Sequence, residues 1–165
     1  MTYIGLLSDT HSYLDERLFN YFADCDEIWH AGDVGNIEII DQLRAFKPLR
    51  GVYGNIDGQE IRIELPLNQR FEVEDLSIMM THIGGTPPRY NPTTRAELIA
   101  NTPDIFICGH SHILQVLRDK KLNNMLYINP GAAGKSGFHK VKTAIRFAID
   151  GNKVLQMAVI DLGKR

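Results

Sequence analysis

Residues 3–11 read Tyr-Ile-Gly-Leu-Leu-Ser-Asp-Thr-His. Five mostly apolar residues are followed at once by four polar ones, beginning at Ser8. A short apolar run that stops at polar or turn-forming residues is typical of a buried β-strand. Asp9 and His11 therefore stand just after the end of a predicted strand.

Five more apolar runs end in the same manner, at residues that can bind a metal or form a turn. They are residues 27–31 before Gly32-Asp33, 49–53 before Gly54-Asn55, 76–81 before His82, 104–108 before Gly109-His110-Ser111-His112, and 125–128 before Asn129-Pro130-Gly131. Between the first three runs, residues 14–22 and 37–46 place apolar side chains at helical spacing. This β-α-β-α-β order predicts a parallel sheet for the first half of the chain.

The second half contains strands that follow one another more directly. Its predicted strands are two within 70–81, joined by a turn near Glu74-Asp75, and single ones at 113–118, 125–128, 143–149 and 154–160. Asp150-Gly151-Asn152 predicts a tight hairpin turn, and Asn91-Pro92 predicts the start of a third helix. We therefore expect an α/β fold in a single domain, 1–165, in which a mainly parallel sheet is joined by a more antiparallel one.

Composition narrows the class of protein. The 18 Lys and Arg against 20 Asp and Glu give a net charge of −2, which does not favour a long nucleic acid as partner. The two cysteines, Cys25 and Cys108, cannot build a disulfide framework or a thiolate zinc site. The N-terminus has no signal-peptide pattern, and no run reaches the ~18 apolar residues of a membrane span. We expect a cytoplasmic protein with no membrane partner.

The polar residues at the strand ends are expected to meet, because sites in open α/β sheets form outside the carboxyl ends of the strands. The gathered set contains two carboxylates, one amide and four imidazoles, and no thiolate. Such a set suits Mn, Fe, Ni, Co or Zn rather than a dedicated Ca or Mg site. Seven side chains suit two ions that share a carboxylate, and two ions about 3.5–4 Å apart can hold a bridging hydroxide and clamp a phosphoryl group.

Five ordered blocks of these residues resemble the calcineurin-like metallophosphoesterases. The blocks are Asp9-Thr10-His11, Gly32-Asp33, Gly54-Asn55-Ile56-Asp57, Thr81-His82 and Gly109-His110-Ser111-His112. Their order and the overall size look like the small YfcE-like phosphodiesterase branch, and the resemblance extends from Tyr3 to about Gly131. It implies a four-layer αββα sandwich, with two mixed β-sheets flanked by helices.

The resemblance also implies a role for each residue at the strand ends. One ion would be held by Asp9, His11 and His112, and the other by Asn55, His82 and His110, with Asp33 bridging the two. The ions are expected to be Mn²⁺, with Ni, Fe, Co or Zn as alternatives. We assign a catalytic role to Asp33 and Asn55, together with Asp57, which either orients Asn55 or closes the turn.

The expected function is that of a dinuclear-metal-dependent phosphoesterase, and specifically a phosphodiesterase that hydrolyses small phosphodiesters through a metal-bridging hydroxide. Two alternatives stay open. One is a phosphomonoesterase acting on a nucleotide-like metabolite. The other is a non-catalytic scaffold, since a retromer-type subunit resembles this fold and uses it to hold protein partners. The natural substrate, the native metal and a homo-oligomeric state are likewise left open.

Two departures from the family pattern affect the expected substrate. Many relatives have His after the Gly-Asn pair, where it is thought to protonate the leaving group, and this chain has Ile56. Leaving groups of low pKa are therefore expected to be favoured, because they need little protonation. Relatives often have Thr-His-Gly-His where this chain has Thr81-His82-Ile83-Gly84, so the second histidine is absent.

Residues outside the metal-ligand set receive weaker predictions. Arg89 and Tyr90, in a loop after His82, are candidates to contact a phosphate oxygen and to stack on an aromatic group of the substrate. His30 is expected in the core or behind the ligands, and His139 is expected on the surface. For Asn129 we expect a role in shaping the nearby backbone.

Overall fold

The computed structural model describes all 165 residues and contains two five-stranded sheets. Sheet I contains, in spatial order, β12 (Lys153–Lys164), β11 (Val141–Asp150), β1 (Thr2–Leu7), β2 (Glu27–His30) and β3 (Leu49–Gly51). Sheet II contains β4 (Asn68–Val73), β5 (Leu76–Thr81), β8 (Ile105–Ile107), β10 (Met125–Pro130) and β9 (Leu114–Asp119). A separate hairpin pairs β6 (Gly85–Thr86) with β7 (Arg89–Tyr90).

Four helices flank the sheets. They are α1 (Arg17–Tyr21), α2 (Ile37–Phe46), α3 (Gln59–Glu64) and α4 (Pro92–Ala100), and a 3₁₀ turn follows β9 at Lys120–Leu122. As predicted, α4 begins after Asn91, whose side chain accepts a hydrogen bond from the Thr93 N–H. None of the helices has the length and apolar character that a membrane crossing requires.

The strand directions confirm the parallel arrangement predicted for the first half, since β1 runs parallel to β2 and β2 to β3. Sheet II is more parallel than predicted, because β5, β8 and β10 are all parallel neighbours. The reason is connectivity: α4 returns the chain between β5 and β8, and β9 lies outside β10 at the sheet edge.

The core is divided into three apolar layers, which explains the four-layer order. Alternate residues of β8 show it: Ile105 and Ile107 pack between the two sheets, and Phe106 packs on the opposite face with Leu98 of α4. A third layer joins the outer face of sheet I to α1, α2 and α3. The period-2 alternation of a strand buried on both faces therefore fixes the αββα order helix–sheet–sheet–helix.

Three local elements differ from the prediction. The helix predicted over 14–22 is only α1, because the Asp15 carboxylate accepts a bond from the Arg17 N–H and holds the preceding residues in a turn. The short helix α3 was not predicted. The loop at 84–90 instead contains the β6–β7 hairpin, which is too short to give a periodic signal in the sequence.

Candidate metal centre

Two clusters of side chains lie at the carboxyl ends of the strands. One consists of Asp9, His11 and His112, and the other of Asp33, His82 and His110; within each, the potential ligand atoms lie within 4.8 Å of one another. The residues come from segments up to about one hundred positions apart. The expected convergence of the strand ends is thus present in the structure.

Asp33 lies between the two clusters. Its Oδ2 atom is 3.4 Å from Nε2 of His11 in the first cluster and 3.2 Å from Nε2 of His82 in the second. Its Oδ1 atom accepts a hydrogen bond from the Ile56 N–H at 3.0 Å, which fixes the carboxylate plane. One oxygen of Asp33 is therefore shared by both clusters, as a bridging ligand would be.

Three buried atoms in the clusters have no hydrogen-bond partner in the protein: Asp9 Oδ1, His11 Nε2 and His82 Nε2. An unpaired buried polar atom is costly, so such atoms normally have a protein, water or ion partner. Here the unpaired atoms face one another, and Nε2 of His112 lies 3.1 Å from Asp9 Oδ1. Imidazole nitrogens and carboxylate oxygens are ligands of Mn, Fe, Co, Ni and Zn, so the residues present fit divalent cations.

Asn55 extends the second cluster toward solvent. Its Oδ1 atom lies 3.0 Å from Nδ1 of His110, and both side chains are exposed. Asp9, Asp33 and His82 are instead buried. The centre therefore has a buried floor and an open rim on the side of Asn55 and His110.

Asp9 is oriented by its second oxygen. Its Oδ2 accepts hydrogen bonds from the Ser8 hydroxyl at 2.7 Å and from the His110 N–H at 3.1 Å. Burial by itself raises the pKa of the Asp9 carboxyl, but the imidazoles of His11 and His112 outweigh this and hold the pKa below its usual range. Asp9 is therefore ionised and directs its free Oδ1 toward the cluster.

A main-chain carbonyl decides which ring nitrogen of His82 faces the centre. Its Nδ1–H donates to the Ala31 carbonyl at 2.8 Å, which leaves the Nε2 lone pair toward the centre. Burial lowers the pKa of His82, but the carboxylates of Asp33 and Asp9 raise it more, to above its usual value. A proton and a cation therefore compete for this nitrogen.

His112 is oriented by His139 through a chain of hydrogen bonds. The Nε2–H of His139 donates to the Gly134 carbonyl at 2.7 Å, so its Nδ1 accepts from the Nδ1–H of His112 at 3.1 Å. This leaves Nε2 of His112 free toward Asp9. The surface position expected for His139 is wrong: the side chain is only 9% exposed, because residues after Gly131 fold back over the first cluster.

Replacing His139 by alanine is expected to weaken binding of Zn²⁺ or Mn²⁺ by about 10- to 100-fold, because His112 loses the acceptor that fixes its tautomer. His139→Asn, whose Oδ1 replaces the accepting nitrogen, is expected to recover part of the affinity. Competition with a chromogenic chelator measures both. Phe138→Ala is the control, since Phe138 is fully exposed, and an unchanged affinity in His139→Ala would contradict the role given to His139.

The backbone at the centre is held in an unusual conformation. Five candidate ligands have positive φ angles, which few residues other than glycine adopt: Asp9 (54°), His11 (45°), Asp33 (55°), His110 (70°) and His112 (62°). Strained backbone of this kind persists where the surrounding structure imposes it and is concentrated at functional sites. The fold therefore imposes the geometry of these loops.

Two glycines of the sequence blocks are explained by close approach of the ligand loops. A Cβ atom at Gly54 would collide with Asp33 Oδ1, and one at Gly109 would collide with Ser8 Oγ and approach Asp9 Oδ2 to 2.7 Å. The glycine before Asn55 and the one before His110 therefore let two ligand loops touch.

Asp57 is a buried positioning residue. Its carboxylate accepts three hydrogen bonds from backbone N–H groups: Val34 at 3.1 Å, Gly35 at 2.9 Å and Gly54 at 2.8 Å. It thereby ties the loop of Asp33 to the loop of Asn55. Both carboxylate oxygens of Asp57 are occupied by these contacts. This favours the orienting role over proton transfer.

Asn129 and His30 support the centre from behind, as the sequence indicated. Asn129 Nδ2 donates to the Gly109 carbonyl at 3.1 Å and to Ser111 Oγ at 3.0 Å, which shapes the loop carrying two histidines. The Gly32 N–H donates to Nδ1 of His30, so the Nε2–H of His30 donates to Thr10 Oγ1 at 3.0 Å. Burial lowers the pKa of His30 to about 4.

The stability of the metal-free protein is expected to fall between pH 6.5 and about 4, partly because of His30. Its pKa is about 4 in the fold against an ordinary value of 6.5, so only the unfolded chain gains this proton as the pH falls. The loss at the lower end is about 3 kcal/mol. Urea unfolding at several pH values measures this loss. His30→Gln is expected to make the free energy of unfolding depend less on pH, and an equal pH dependence in both proteins would contradict the role of His30.

Arg89 and Tyr90 do not join the side chains of the metal centre. Tyr90 is 8% exposed, its ring packs near Phe106 and Tyr127, and its hydroxyl donates to Asp119 at 2.6 Å. This burial and the commitment of the hydroxyl to Asp119 do not favour stacking on a substrate at the metal centre. Arg89 is exposed on the β6–β7 hairpin, and its phosphate contact stays a prediction.

Known proteins that are similar to this chain belong to the family that the blocks at the strand ends resemble. The calcineurin-like phosphoesterase superfamily domain matches residues 2–152. A probable metallophosphoesterase of Methanothermobacter thermautotrophicus is 33% identical over 135 residues, which cover 78% of this chain and 76% of that protein.

Two solved structures share the fold. Vps29 of Chaetomium thermophilum superposes with a TM-score of 0.77 at 19% identity, and the superposition covers 100% of each chain. An archaeal phosphodiesterase superposes with a TM-score of 0.77 at 20% identity, over 96% of this chain and 100% of that one. These two structures establish the architecture. The family match and the 33% identical relative establish the family: this chain belongs to the calcineurin-like phosphoesterase superfamily.

Proposed function

We propose that this protein is a phosphodiesterase that uses two divalent cations, Mn²⁺ first among them, to hydrolyse small phosphodiesters. The observation that carries the proposal is the shared Asp33 carboxylate between two clusters that contain three unpaired buried ligand atoms. The proposed ligands are Asp9, His11 and His112 for one cation, Asn55, His82 and His110 for the other, and Asp33 for both.

The protein's own residues would bind and orient. Cations in this centre would lower the pKa of a water molecule and neutralise charge on the phosphoryl group. The ionised carboxylates of Asp9 and Asp33 form the floor, and the exposed rim of Asn55 and His110 leaves room for the phosphoryl group.

Two serines and a cysteine near the centre do not present a free nucleophile. The Ser8 hydroxyl is committed to Asp9 Oδ2, and Ser111 Oγ contacts Asn129. Burial raises the pKa of the Cys108 thiol to about 12, so this sulfur stays protonated. These contacts favour direct attack by water over a covalent intermediate on the protein.

Ile56 affects the choice of leaving group. Its side chain is 47% exposed next to Asn55 and has no proton to donate. Diesters with acidic aryl leaving groups are therefore expected to react faster than alkyl diesters. The archaeal phosphodiesterase of the same fold supports the assignment to diesters. Vps29, a vacuolar protein sorting protein by name, also shares the fold and keeps the scaffold as the alternative.

The test is hydrolysis of bis(p-nitrophenyl) phosphate and of p-nitrophenyl phosphate by metal-stripped protein, before and after Mn²⁺ is added. Metal-restored turnover that is faster with the diester is the expected result. Faster turnover of the monoester would replace the diesterase by a monoesterase. No turnover with Mn²⁺, Ni²⁺, Co²⁺, Fe²⁺ or Zn²⁺ would overturn the enzymatic proposal and favour the scaffold.

A further inference from the structure

A cavity of about 310 Å³ adjoins the open rim of the metal centre. Gly54 and Asn55 line one end of it, and so do Thr81 and Ile83, the two neighbours of His82 in the chain. The cavity therefore starts beside the second cluster. A phosphoryl group bound at the centre would extend one of its ester arms into this space.

The far walls of the cavity carry hydrogen-bonding groups that the protein does not use. Asn68 Oδ1 accepts from the Thr81 hydroxyl at 2.5 Å, and Asn91 Oδ1 accepts from the Thr93 N–H at 3.1 Å. The amide NH₂ groups of Asn68 and Asn91 have no partner in the protein, and neither does the Glu97 carboxylate. All three residues line the cavity. It thus offers two amide donors and one charged acceptor.

One wall of the cavity carries a planar group that is held by a hydrogen bond. The guanidinium of Arg62 lies over the ring of Tyr53, with 4.5 Å between Cζ and the ring centroid, and its Nε–H donates to the Asp57 carbonyl at 2.7 Å. Guanidinium planes and aromatic rings are the surfaces on which proteins stack nucleobases. The Arg62–Tyr53 pair is therefore a preformed platform for a flat ring.

The charge and size of the cavity restrict the arm. Its charged lining residues are Arg62 and Glu97, which cancel, so a second phosphate is not favoured. The volume lies at the lower end of the roughly 300–1,000 Å³ range of small-ligand pockets, which suits a single ring-bearing group. Exposed Leu67 and Ile83 add apolar surface.

We propose that this cavity binds the nucleoside arm of a nucleoside phosphodiester. The base would lie against Arg62 and Tyr53, with its polar edge toward Glu97 and the amides of Asn68 and Asn91. A thymine or uracil edge presents two carbonyl acceptors around one N–H donor, which complements two amide donors and a carboxylate. The inference rests on the proposed function, because it assumes that the phosphate occupies the metal centre.

The experiment compares two diesters with the same leaving group: the p-nitrophenyl ester of thymidine 5′-monophosphate and p-nitrophenyl phenyl phosphate. With Mn²⁺ present, the thymidine ester is expected to have the higher kcat/KM by about 10-fold or more. Glu97→Gln, which keeps the side-chain size, is expected to reduce that ratio by about 10-fold, mainly through KM, since a charged acceptor is lost.

The control is Glu72→Gln, which removes an exposed carboxylate from β4 outside the cavity and is expected to leave the ratio unchanged. Equal kcat/KM for the two diesters, or an unchanged ratio in Glu97→Gln, would overturn the nucleoside site while leaving the diesterase in place. Hydrolysis of neither diester would overturn the proposed function, and the nucleoside site with it.

Binding gives a second readout that does not need turnover. Thymidine 5′-monophosphate added to the Zn²⁺-loaded protein is expected to shift the side-chain NH₂ signals of Asn68 and Asn91 in ¹H–¹⁵N spectra. Shifts confined to the exposed asparagines elsewhere, such as Asn123 and Asn124, would contradict the proposed cavity.

Discussion

Replacing Asp33 by asparagine is expected to reduce kcat/KM for an aryl phosphodiester by at least about 100-fold and to lower the number of metal ions retained. Removing even an indirect contact to a metal ligand costs about 10- to 100-fold, and Asp33 faces both clusters. The amide can still accept from the Ile56 N–H through Oδ1, so the loop is expected to survive. Its NH₂ group, however, faces His11 and His82 without charge or a lone pair.

Metal content after gel filtration and turnover with added Mn²⁺ measure this effect, and thermal unfolding shows whether the fold is intact. Asp41→Asn is the control, because Asp41 is an exposed carboxylate on α2. Wild-type metal content together with wild-type turnover in Asp33→Asn would show that Asp33 is not a ligand, and it would remove the main support for a dinuclear centre.

Replacing Asp57 by alanine is expected to lower the free energy of unfolding by about 3–5 kcal/mol. The carboxylate is buried and accepts three N–H bonds. Hydrogen bonds to a charged group are worth about 1.5–3 kcal/mol each, and the unpaired N–H groups would stay buried. The substitution would also release the loop of Asn55 from the loop of Asp33.

Urea unfolding of the metal-free protein measures this loss, with Asp41→Ala as the exposed control. Asp57→Asn separates the two roles considered for this residue. A positioning residue predicts a loss of stability and of metal affinity in Asp57→Asn, because the amide offers only one acceptor. Unchanged stability and metal content with abolished turnover would instead assign a catalytic role to Asp57.

The fold was largely predictable because its strands are buried and end abruptly. Apolar runs such as those before Asp9 and Asp33 give a local signal that needs no knowledge of the rest of the chain. The parallel order of β1, β2 and β3 followed from the helical spacing between the runs. The β6–β7 hairpin escaped prediction because strands of two residues show no alternation, and α3 because a helix of six residues has fewer than two turns.

The candidate site was predictable in its residues but not in its supporting contacts. The ligand types at the strand ends are visible in the sequence, since polar residues after apolar runs are conspicuous. His139 carried no such signal: it lies in a glycine-containing loop, and its contact with His112 exists only because residues 131–139 fold back over the centre. Tyr90 was wrongly predicted to face the substrate. Its position near a ligand in the chain does not show which way its ring packs.

The succession of strands and helices along the chain and the chemistry of the ligand atoms were set by local sequence. Tertiary structure alone decided which imidazole nitrogen faces the centre, how Asp57 joins two loops, and which polar groups of Asn68, Asn91 and Glu97 are left free beside it. The physical reason is that these outcomes depend on contacts between segments that are distant in the chain, such as the hydrogen bonds from Val34 to Asp57 and from His112 to His139. Such partners are chosen by the packing of the sheets, and no local pattern in the chain encodes them.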